Sequence, residues 1–392
     1  MRAEPGLLRR APGFAALLTA RAVSLLGDGV GALALVIHVQ RTAGTGQAVG
    51  LLLLVASLPN LLAPLTGTLA DRVDRRTVLI AAELLQGVVL GVVLLWMPPL
   101  PLLLGLLLLK ATLVTIADPA GRSAIPALVE DEDLDAANAL LGGLRQAGEV
   151  LGPLLGGAVV AAFGVRAGLA IDAATFAVSV PLLLRLAPMP PAPETGPGVL
   201  AEAVEGLRFT LAHPVARALG LGFLIVGLSS ADDVALPFLA MELGAGEPGV
   251  GALYAAVGAG LIVGYLALTR LGSRLPTRAG LLLGAAVAGL GNLATGLPSS
   301  IAAAVGFQVV RGVGLAFYDT GLQTLIQRTV PAAHLGRVFA NVFGAVNVTA
   351  ALGLLLGGPL LDATSPRAVL IGVGAVGLLG AAVTAALLPR EG

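Results

Sequence analysis

Seven ionisable residues lie inside long apolar stretches of this 392-residue sequence, where charged side chains are unusual. They are Asp28, Lys110, Glu149, Asp232, Asp233, Arg311 and Asp319. A charge in an apolar medium is costly unless the group is paired or changes its protonation state. Acids and bases in such positions can therefore form ion pairs, carry protons or bind a charged group of a ligand.

The acids among them are candidates for reversible protonation, in the order Asp28, Glu149 and the pair Asp232/Asp233. Asp28 could instead form a fixed ion pair with Lys110 or Arg145. Glu149 could pair with Arg145, which lies four residues earlier and so one helical turn away. Adjacent helical positions diverge by ~100°, so only one of the two neighbouring aspartates can face a given side of its helix.

The bases have two interpretations that the sequence leaves open. Lys110 and Arg311 are either electrostatic partners of these acids or binding groups for an anionic part of a ligand. Three further charged residues, Arg21, Glu83 and Asp172, lie nearer the ends of their apolar stretches. We expect their side chains to reach the polar boundary by snorkelling.

Composition indicates the elements that must position these residues. The chain is 57% apolar and only 12% charged, whereas soluble domains carry about 25% charged residues. A helix of about 20 apolar residues crosses the ~30 Å core of a bilayer. We therefore predict an all-α polytopic membrane protein with spans near 14–38, 47–70, 77–98, 100–121, 136–163, 166–187, 214–240, 249–270, 278–297, 299–327, 338–361 and 366–388.

The distribution of arginine predicts the orientation of these twelve spans. Sixteen arginines lie on the side of the N-terminus and three on the other side, which places both termini in the cytoplasm.

We expect no cleavable signal peptide, because the first apolar run continues without a small-residue cleavage site. The formal net charge of zero argues against a nucleic-acid partner.

The chain also divides into two similar halves. Residues 188–198 are rich in proline and glycine, and a short amphipathic stretch follows near Leu200–Leu211. The predicted domains are two six-helix bundles, 1–187 and 214–392, joined by a cytoplasmic linker at 188–213. Lys110 and Arg311 lie 201 residues apart, as do Asp118 and Asp319. Parallel six-helix repeats of this kind are typical of transporters, with a substrate site near the membrane midplane.

One loop carries a family resemblance. The pattern of Gly67, Asp71, Arg72, Arg75 and Arg76, after the second of twelve spans, resembles the signature loop of the major facilitator superfamily. The resemblance implies a cytoplasmic gate that forms when the protein faces outward. Asp118 and Asp319 are then expected to be gate elements rather than proton carriers. The alternative is that Arg75 and Arg76 only enforce the topology.

A second motif lies in the fifth span. Its residues are Gly148, Gly152, Pro153, Gly156 and Gly157, and they resemble the helix motif of drug/proton antiporters in the same superfamily. Three of the glycines share one helical face, which predicts a groove for another helix. Such a face could serve packing alone.

Three further stretches, Asp118–Pro126, Ala137–Leu140 and Asp172–Phe176, resemble the branch that contains the enterobactin exporter and macrolide efflux proteins. Ala139 departs from the longer antiporter pattern, which has a glycine there.

The resemblance implies a secondary active transporter in the inner membrane of a prokaryote. We expect it to export amphipathic small molecules, such as drugs or lipophilic metabolites, by alternating access in exchange for protons. It would need no cofactor or metal, because the proton gradient supplies the energy, and it would act as a monomer. The alternatives are an importer or facilitator of a nutrient with the same fold, and a non-transporting receptor or scaffold. An enzyme is not expected, since no nucleophile has an evident base beside it.

Overall fold

A computed structural model describes residues 6–62, 73–190, 199–271, 275–331 and 334–389. Within these ranges the protein is helical, with short connections and no β-strand. This is the all-α architecture that the apolar runs predict.

The first half begins with a helical turn, Leu7–Arg10, and continues with six longer helices. These are α1 (Pro12–Ala43), α2 (Gly46–Ser57), α3 (Arg75–Trp96), α4 (Leu100–Ser123), α5 (Leu134–Phe163) and α6 (Val165–Leu183). Helix α2 continues as a 3₁₀ segment, Leu58–Leu62, and two short 3₁₀ turns, Ile125–Ala127 and Asp131–Asp133, connect α4 to α5.

The second half begins with a helix over the predicted amphipathic stretch. Its helices are α7 (Val199–Ala212), α8 (Pro214–Gly227), α9 (Ala231–Glu242), α10 (Gly246–Leu271), α11 (Thr277–Thr295), α12 (Ile301–Thr329), α13 (Leu335–Ala363) and α14 (Pro366–Leu387). A 3₁₀ segment, Leu228–Ser230, joins α8 to α9.

The helices account for the twelve predicted spans. Among the described residues, eleven helical segments are long and apolar enough to cross a membrane, and Gly46–Leu61 adds a shorter apolar helix. The end of the predicted second span, residues 63–70, lies outside the described residues. The seventh span, predicted near 214–240, is one helical segment, Pro214–Glu242, and its middle, Leu228–Ser230, has 3₁₀ geometry two residues before Asp232.

The chain divides into two compact units. Unit 1 contains Met1–His38 and Val55–Thr195, and unit 2 contains Val39–Leu54 and Gly196–Gly392. The predicted domain limits of 1–187, 188–213 and 214–392 stay predictions.

The short segment Val39–Leu54 is fixed within unit 2 by polar contacts. The Asp362 carboxylate accepts hydrogen bonds from the amides of Gly46 and Gln47, at 2.5 and 3.0 Å. Arg41 forms an ion pair with Glu247. A carboxylate at the first turn of a helix is favourable because the free amides there carry partial positive charge.

Glycines allow corresponding helices of each unit to approach closely. In unit 1, a Cβ on Gly152 of α5 would lie 2.8 Å from the Cα of Gly29 in α1. In unit 2, a Cβ on Gly357 of α13 would lie 3.0 Å from the Cα of Ala231 in α9. The fifth span packs on the first, and the eleventh on the seventh, through equivalent small-residue contacts.

Candidate functional site

Unit 1 contains a largely buried cluster of two acids and one base on three different helices. The Lys110 ammonium in α4 lies 2.6 Å from Oδ1 of Asp28 in α1 and 3.5 Å from Oδ2 of Asp172 in α6. The Asp172 side chain is 0% exposed and that of Lys110 13% exposed. One ammonium is therefore shared by two carboxylates.

Asp172 is seated against the backbone of α1. A Cβ on Gly31 would overlap its carboxylate, so this close approach requires glycine. In the described part of the chain, neither oxygen of Asp172 accepts a hydrogen bond. Its neutralisation thus depends on the Lys110 ammonium or on a proton.

Glu83 of α3 lies in the same unit and is only 4% exposed. The hydroxyl of Ser24 donates to its Oε1 at 3.2 Å, and the hydroxyl of Ser179 donates to its Oε2. The expectation that Glu83 and Asp172 reach the polar boundary by snorkelling is wrong, because both carboxylates are buried within the unit. Arg21 donates to the carbonyl of Ala117 at 2.9 Å.

Unit 2 contains the corresponding cluster. The Arg311 guanidinium in α12 lies 2.5 Å from Oδ2 of Asp232 in α9, which is 0% exposed. The side-chain amide of Asn292 donates to the same carboxylate oxygen at 2.9 Å. Arg311 also donates to the Gln308 side chain at 3.2 Å. Asp232 is thus paired and hydrogen-bonded by two helices of its unit.

Asp233 has different surroundings from its neighbour. Its amide donates to the Asp232 carboxylate at 2.9 Å, and its carbonyl accepts from the Tyr254 hydroxyl at 2.5 Å. Its side chain is half-buried, whereas that of Asp232 is fully buried. The two adjacent aspartates diverge, as their helical positions predict.

The two clusters are related by the internal repeat. Lys110 and Arg311, 201 residues apart, each bind an aspartate in the first span of their own unit. The structure thus places both bases as partners of acids. Of the alternatives for Asp28, it shows the pair with Lys110 and not one with Arg145.

The other predicted charges lie away from these clusters. Arg145 pairs with Asp118 at 3.3 Å, and Glu149 accepts from Gln146 at 3.2 Å. The alternative in which Glu149 pairs with Arg145 is therefore not what the structure shows. Glu149 is exposed on its helix.

The repeat-related acids near the span ends have different partners. Asp118 accepts from Arg122 at 3.0 Å as well as from Arg145. Asp319 accepts from Gln323 at 2.9 Å and from the Tyr265 hydroxyl at 3.3 Å. Among the described residues, basic side chains pair with Asp118 and not with Asp319, although the two positions correspond in sequence.

The sequence model of the family described as "Transmembrane secretion effector" matches residues 8–390. The chain belongs to this family of the major facilitator superfamily. Over 366 residues it is 30% identical to "Enterobactin exporter EntS" of Escherichia coli and 32% identical to that of Salmonella typhi. Each alignment covers 90% of this chain and 86% of the relative.

Solved transporters have the same fold as this chain. A bacterial homologue of the iron transporter ferroportin, in an inward-facing state, superimposes with a TM-score of 0.76 at 20% identity, covering 98% of this chain and all of that one. The nucleoside transporter NupG gives a TM-score of 0.76 at 14% identity, covering 97% and 100%. The family match and the exporters among its relatives, together with this fold, make the protein a transporter of the major facilitator type and not an enzyme.

Part of the superfamily loop motif can be placed in this transporter. Gly67, Asp71 and Arg72 lie outside the described residues. Arg75 donates to the Ser123 hydroxyl at 3.0 Å, at the end of α4, and Arg76 donates to the Leu184 carbonyl at 2.8 Å, just after α6. Both arginines thus bind the ends of neighbouring helices, where a positive charge is favourable.

The antiporter-like motif forms the predicted groove, and the helix that occupies it is α1. A Cβ on Gly152 would lie 2.8 Å from the Cα of Gly29. A Cβ on Gly156 would lie 3.2 Å from the Cα of Val30. Gly148 faces Leu25 on the same helix. Pro153 lies within α5, and Gly157 is buried beside it. In this transporter the motif therefore fixes the helix that carries Asp28.

Proposed function

We propose that this transporter exports amphipathic small molecules by alternating access, in exchange for protons. The observation that carries this proposal is the pair of buried clusters at repeat-related positions, each with more acids than bases. The family's known relatives include proteins named enterobactin exporters, which supports export as the direction. The energy would come from the proton gradient, without a cofactor.

The charge balance of unit 1 supports proton binding. With Asp28, Asp172 and Lys110 all ionised, the cluster carries one negative charge in a medium that penalises it. One bound proton removes the imbalance.

Within this cluster, Asp172 joins Asp28 as a candidate for the protonated acid. Asp28 has the shorter contact with Lys110, at 2.6 Å against 3.5 Å. Asp172 is the more deeply buried of the two and accepts no hydrogen bond within the described ranges. We propose that Lys110 alternates between the two carboxylates and that the acid it leaves takes up a proton.

The same imbalance occurs in unit 2, where Asp232 and Asp233 accompany Arg311. Asp232 is already bound by Arg311 and Asn292, so Asp233 is the acid available for protonation or for a cationic group of a substrate. Glu149, exposed on α5, remains a separate candidate.

An efflux assay tests this function. Cells that express the wild type or a variant are loaded with ethidium, chloramphenicol, erythromycin or the anion dansyl-glycine, and extrusion is followed with and without an uncoupler. We expect uncoupler-sensitive extrusion by the wild type and its loss in Asp28→Asn and Asp172→Asn. Asp135→Asn, at an exposed acid on the first turn of α5, is the matched control and should extrude normally.

The outcomes separate the parts of the proposal. Extrusion that persists with the uncoupler would reject proton exchange. Normal extrusion by both Asp28→Asn and Asp172→Asn would reject the unit 1 cluster as the coupling site. Uptake driven by the gradient, in place of extrusion, would identify an importer.

A further inference from the structure

Unit 1 contains a cavity of about 170 Å³ that is not part of the buried clusters. It lies between α1, α4 and α5, near the ends of these helices that the arginine distribution predicts to be cytoplasmic. The charged residues that line it are three arginines and one aspartate: Arg21, Arg122, Arg145 and Asp118.

The arginines are held in place by the structure around them. Arg21 donates to the Ala117 carbonyl at 2.9 Å. A Cβ on Gly121 would lie 2.5 Å from one of its guanidinium nitrogens, so glycine is needed to admit the group. Arg122 and Arg145 both bind the same oxygen of Asp118, at 3.0 and 3.3 Å. The site is therefore organised before a ligand arrives, which reduces the entropy lost on binding.

The charges that line the cavity do not balance. Three guanidinium groups face one carboxylate, which leaves two positive charges among the described lining residues. The side chains of Arg122 and Arg145 remain 62% and 55% exposed, so their outer N–H groups are open to solvent. Planar guanidinium groups bind carboxylate, sulfonate and phosphate oxygens through paired hydrogen bonds.

The cavity also has an apolar wall. Leu25 of α1 and Leu141 of α5 line it beside the arginines. A ligand that satisfies both parts of the surface carries an anionic oxygen group and an apolar body. A small inorganic anion would leave the leucines uncovered, and a neutral hydrophobic compound would leave the arginines unpaired.

We infer that this cavity binds amphipathic anions through Arg21, Arg122 and Arg145. The inference rests on the proposed export function and names a substrate class for it: molecules with a carboxylate, sulfonate or phosphate group. An acidic phospholipid headgroup has the same chemistry, and the experiment separates these two sources.

The test is equilibrium dialysis with the purified full chain in nanodiscs of phosphatidylcholine. The probes are dansyl-glycine, which carries a carboxylate, and dansylamide, which has the same ring system without one. Arg145→Gln, Arg122→Gln and Arg21→Gln remove one charge each. The matched control is Arg185→Gln, because Arg185 is exposed beyond the end of α6 and does not line the cavity.

We expect the wild type to retain dansyl-glycine far better than dansylamide. Each cavity variant should lose dansyl-glycine affinity by about tenfold, the effect of one charge-assisted hydrogen-bonded contact. The Arg185→Gln control should match the wild type. Thermal unfolding of each variant checks that it is folded, and the three separate substitutions keep the test valid if one of them fails to fold.

Equal retention of the two probes, or unchanged affinity in all folded cavity variants, would overturn the inference. Nanodiscs containing phosphatidylglycerol provide the second arm. If this lipid displaces dansyl-glycine from the wild type, the cavity is a headgroup site and the substrate assignment is rejected. The two experiments fail separately. If the dialysis result rejects the anion site, uncoupler-sensitive efflux can still be observed. If the efflux assay rejects proton-coupled export, binding of dansyl-glycine can still be measured.

Discussion

Lys110 is the residue on which the balance of the unit 1 cluster depends. Replacing it with methionine leaves the fully buried Asp172 and the half-buried Asp28 without a basic partner. Breaking a buried ion pair from one side costs about 3–5 kcal/mol, because the remaining charge is uncompensated. We expect Lys110→Met to lower the free energy of unfolding by that amount, as measured by denaturant unfolding of the purified protein in detergent.

The double variant Lys110→Met/Asp28→Asn provides the control for this prediction. It removes one of the two stranded carboxylates, so we expect it to be more stable than Lys110→Met alone. The stability of the double variant is compared with the sum of the effects of Lys110→Met and Asp28→Asn measured singly. If the two effects simply add, the 2.6 Å contact contributes no coupling energy.

At this scale, the sequence predicts the positions of charges better than their partners. The pair of Asp28 with Lys110 was one of two alternatives, and only the packing of α1 against α4 decides between them. Asp172 and Glu83 were missed as buried acids, although each lies six residues inside its predicted span, about 9 Å from its end. That depth exceeds the reach of an aspartate or glutamate side chain and was the available signal.

The contact between α1 and α5 depends on glycine at position 152. The Cβ of Gly152→Ala would lie 2.8 Å from the Cα of Gly29. Because this Cα is part of the backbone of α1, it cannot move aside by a side-chain rotation. We expect the two helices to separate, with a lower unfolding temperature and slower efflux. Gly143→Ala, on the same helix with no heavy atom within 4 Å of its Cβ, is the control.

Gly143→Ala should be neutral or more stable, since alanine in a helix is favoured over glycine by up to about 1 kcal/mol. Equal effects of the two substitutions would show that the α1–α5 contact is not what Gly152 provides. The sequence motif predicted the groove, but it could not show that α1 occupies it.

Helix α3 begins at a titratable cap. Asp74 accepts from the amide of Thr77 at 2.8 Å and from that of Met189 at 2.5 Å. Burial alone would raise the pKa of Asp74, but these hydrogen bonds and the charge of Arg76 lower it below its ordinary value of 3.8. The ionised cap therefore stabilises the fold above pH 3.8, and this contribution is lost as the pH falls through the lower folded-state pKa.

Asp74→Ala should thus cost about 1 kcal/mol at pH 7, the usual value of a cap. The difference from the wild type should shrink below pH 3.8. Asp74→Asn keeps an acceptor oxygen without a titrating group, so its stability should not show this dependence. Unfolding measured from pH 7 to pH 3 checks both variants, and a pH-independent cost in Asp74→Ala would contradict the assignment.

Hydropathy predicted where the helices lie but not where one of them changes to 3₁₀ geometry. Leu228–Ser230 adopts a 3₁₀ conformation between α8 and α9, within an otherwise apolar run. Hydropathy measures composition, whereas 3₁₀ geometry is a matter of local hydrogen bonding. Helix α13 packs on this segment, since a Cβ on Gly353 would lie 2.7 Å from the Leu228 carbonyl oxygen. This segment ends two residues before Asp232, the acid that Arg311 binds in the unit 2 cluster.

The orientation of the whole molecule is predicted by its arginines. With sixteen of them on one face and three on the other, both termini should be cytoplasmic. A fluorescent protein fused after Gly392 should fluoresce, and alkaline phosphatase at the same position should be inactive. Phosphatase inserted after Gly164, between the fifth and sixth spans, should be active. The reverse pattern would show that both termini lie outside the cytoplasm, and the direction of the proposed exchange would then be reversed.

Proton exchange has an electrical consequence for the whole transport cycle. Exchange of one proton for a neutral molecule moves one net charge, whereas exchange for a monovalent cation moves none. A potential of 100 mV is worth ~2.3 kcal/mol per charge, or roughly 50-fold in accumulation. With one proton per cycle, we therefore expect a potential to drive export of neutral chloramphenicol but not of cationic ethidium, while a pH gradient drives both.

Proteoliposomes with a valinomycin-set potassium potential measure this directly for each panel compound that the wild type exports. A response of ethidium to the potential as well would indicate two protons per cycle, and both unit 1 and unit 2 would then have to carry one. Asp172→Asn should distinguish the two cases. If unit 1 supplies the single proton, this variant should abolish coupled export. If unit 2 contributes a second proton, the variant should still export, with the response to the potential that is expected for one proton per cycle. Indifference of both compounds to potential and pH gradient would exclude proton exchange, and the buried acids would then serve only to fix the helices that carry them.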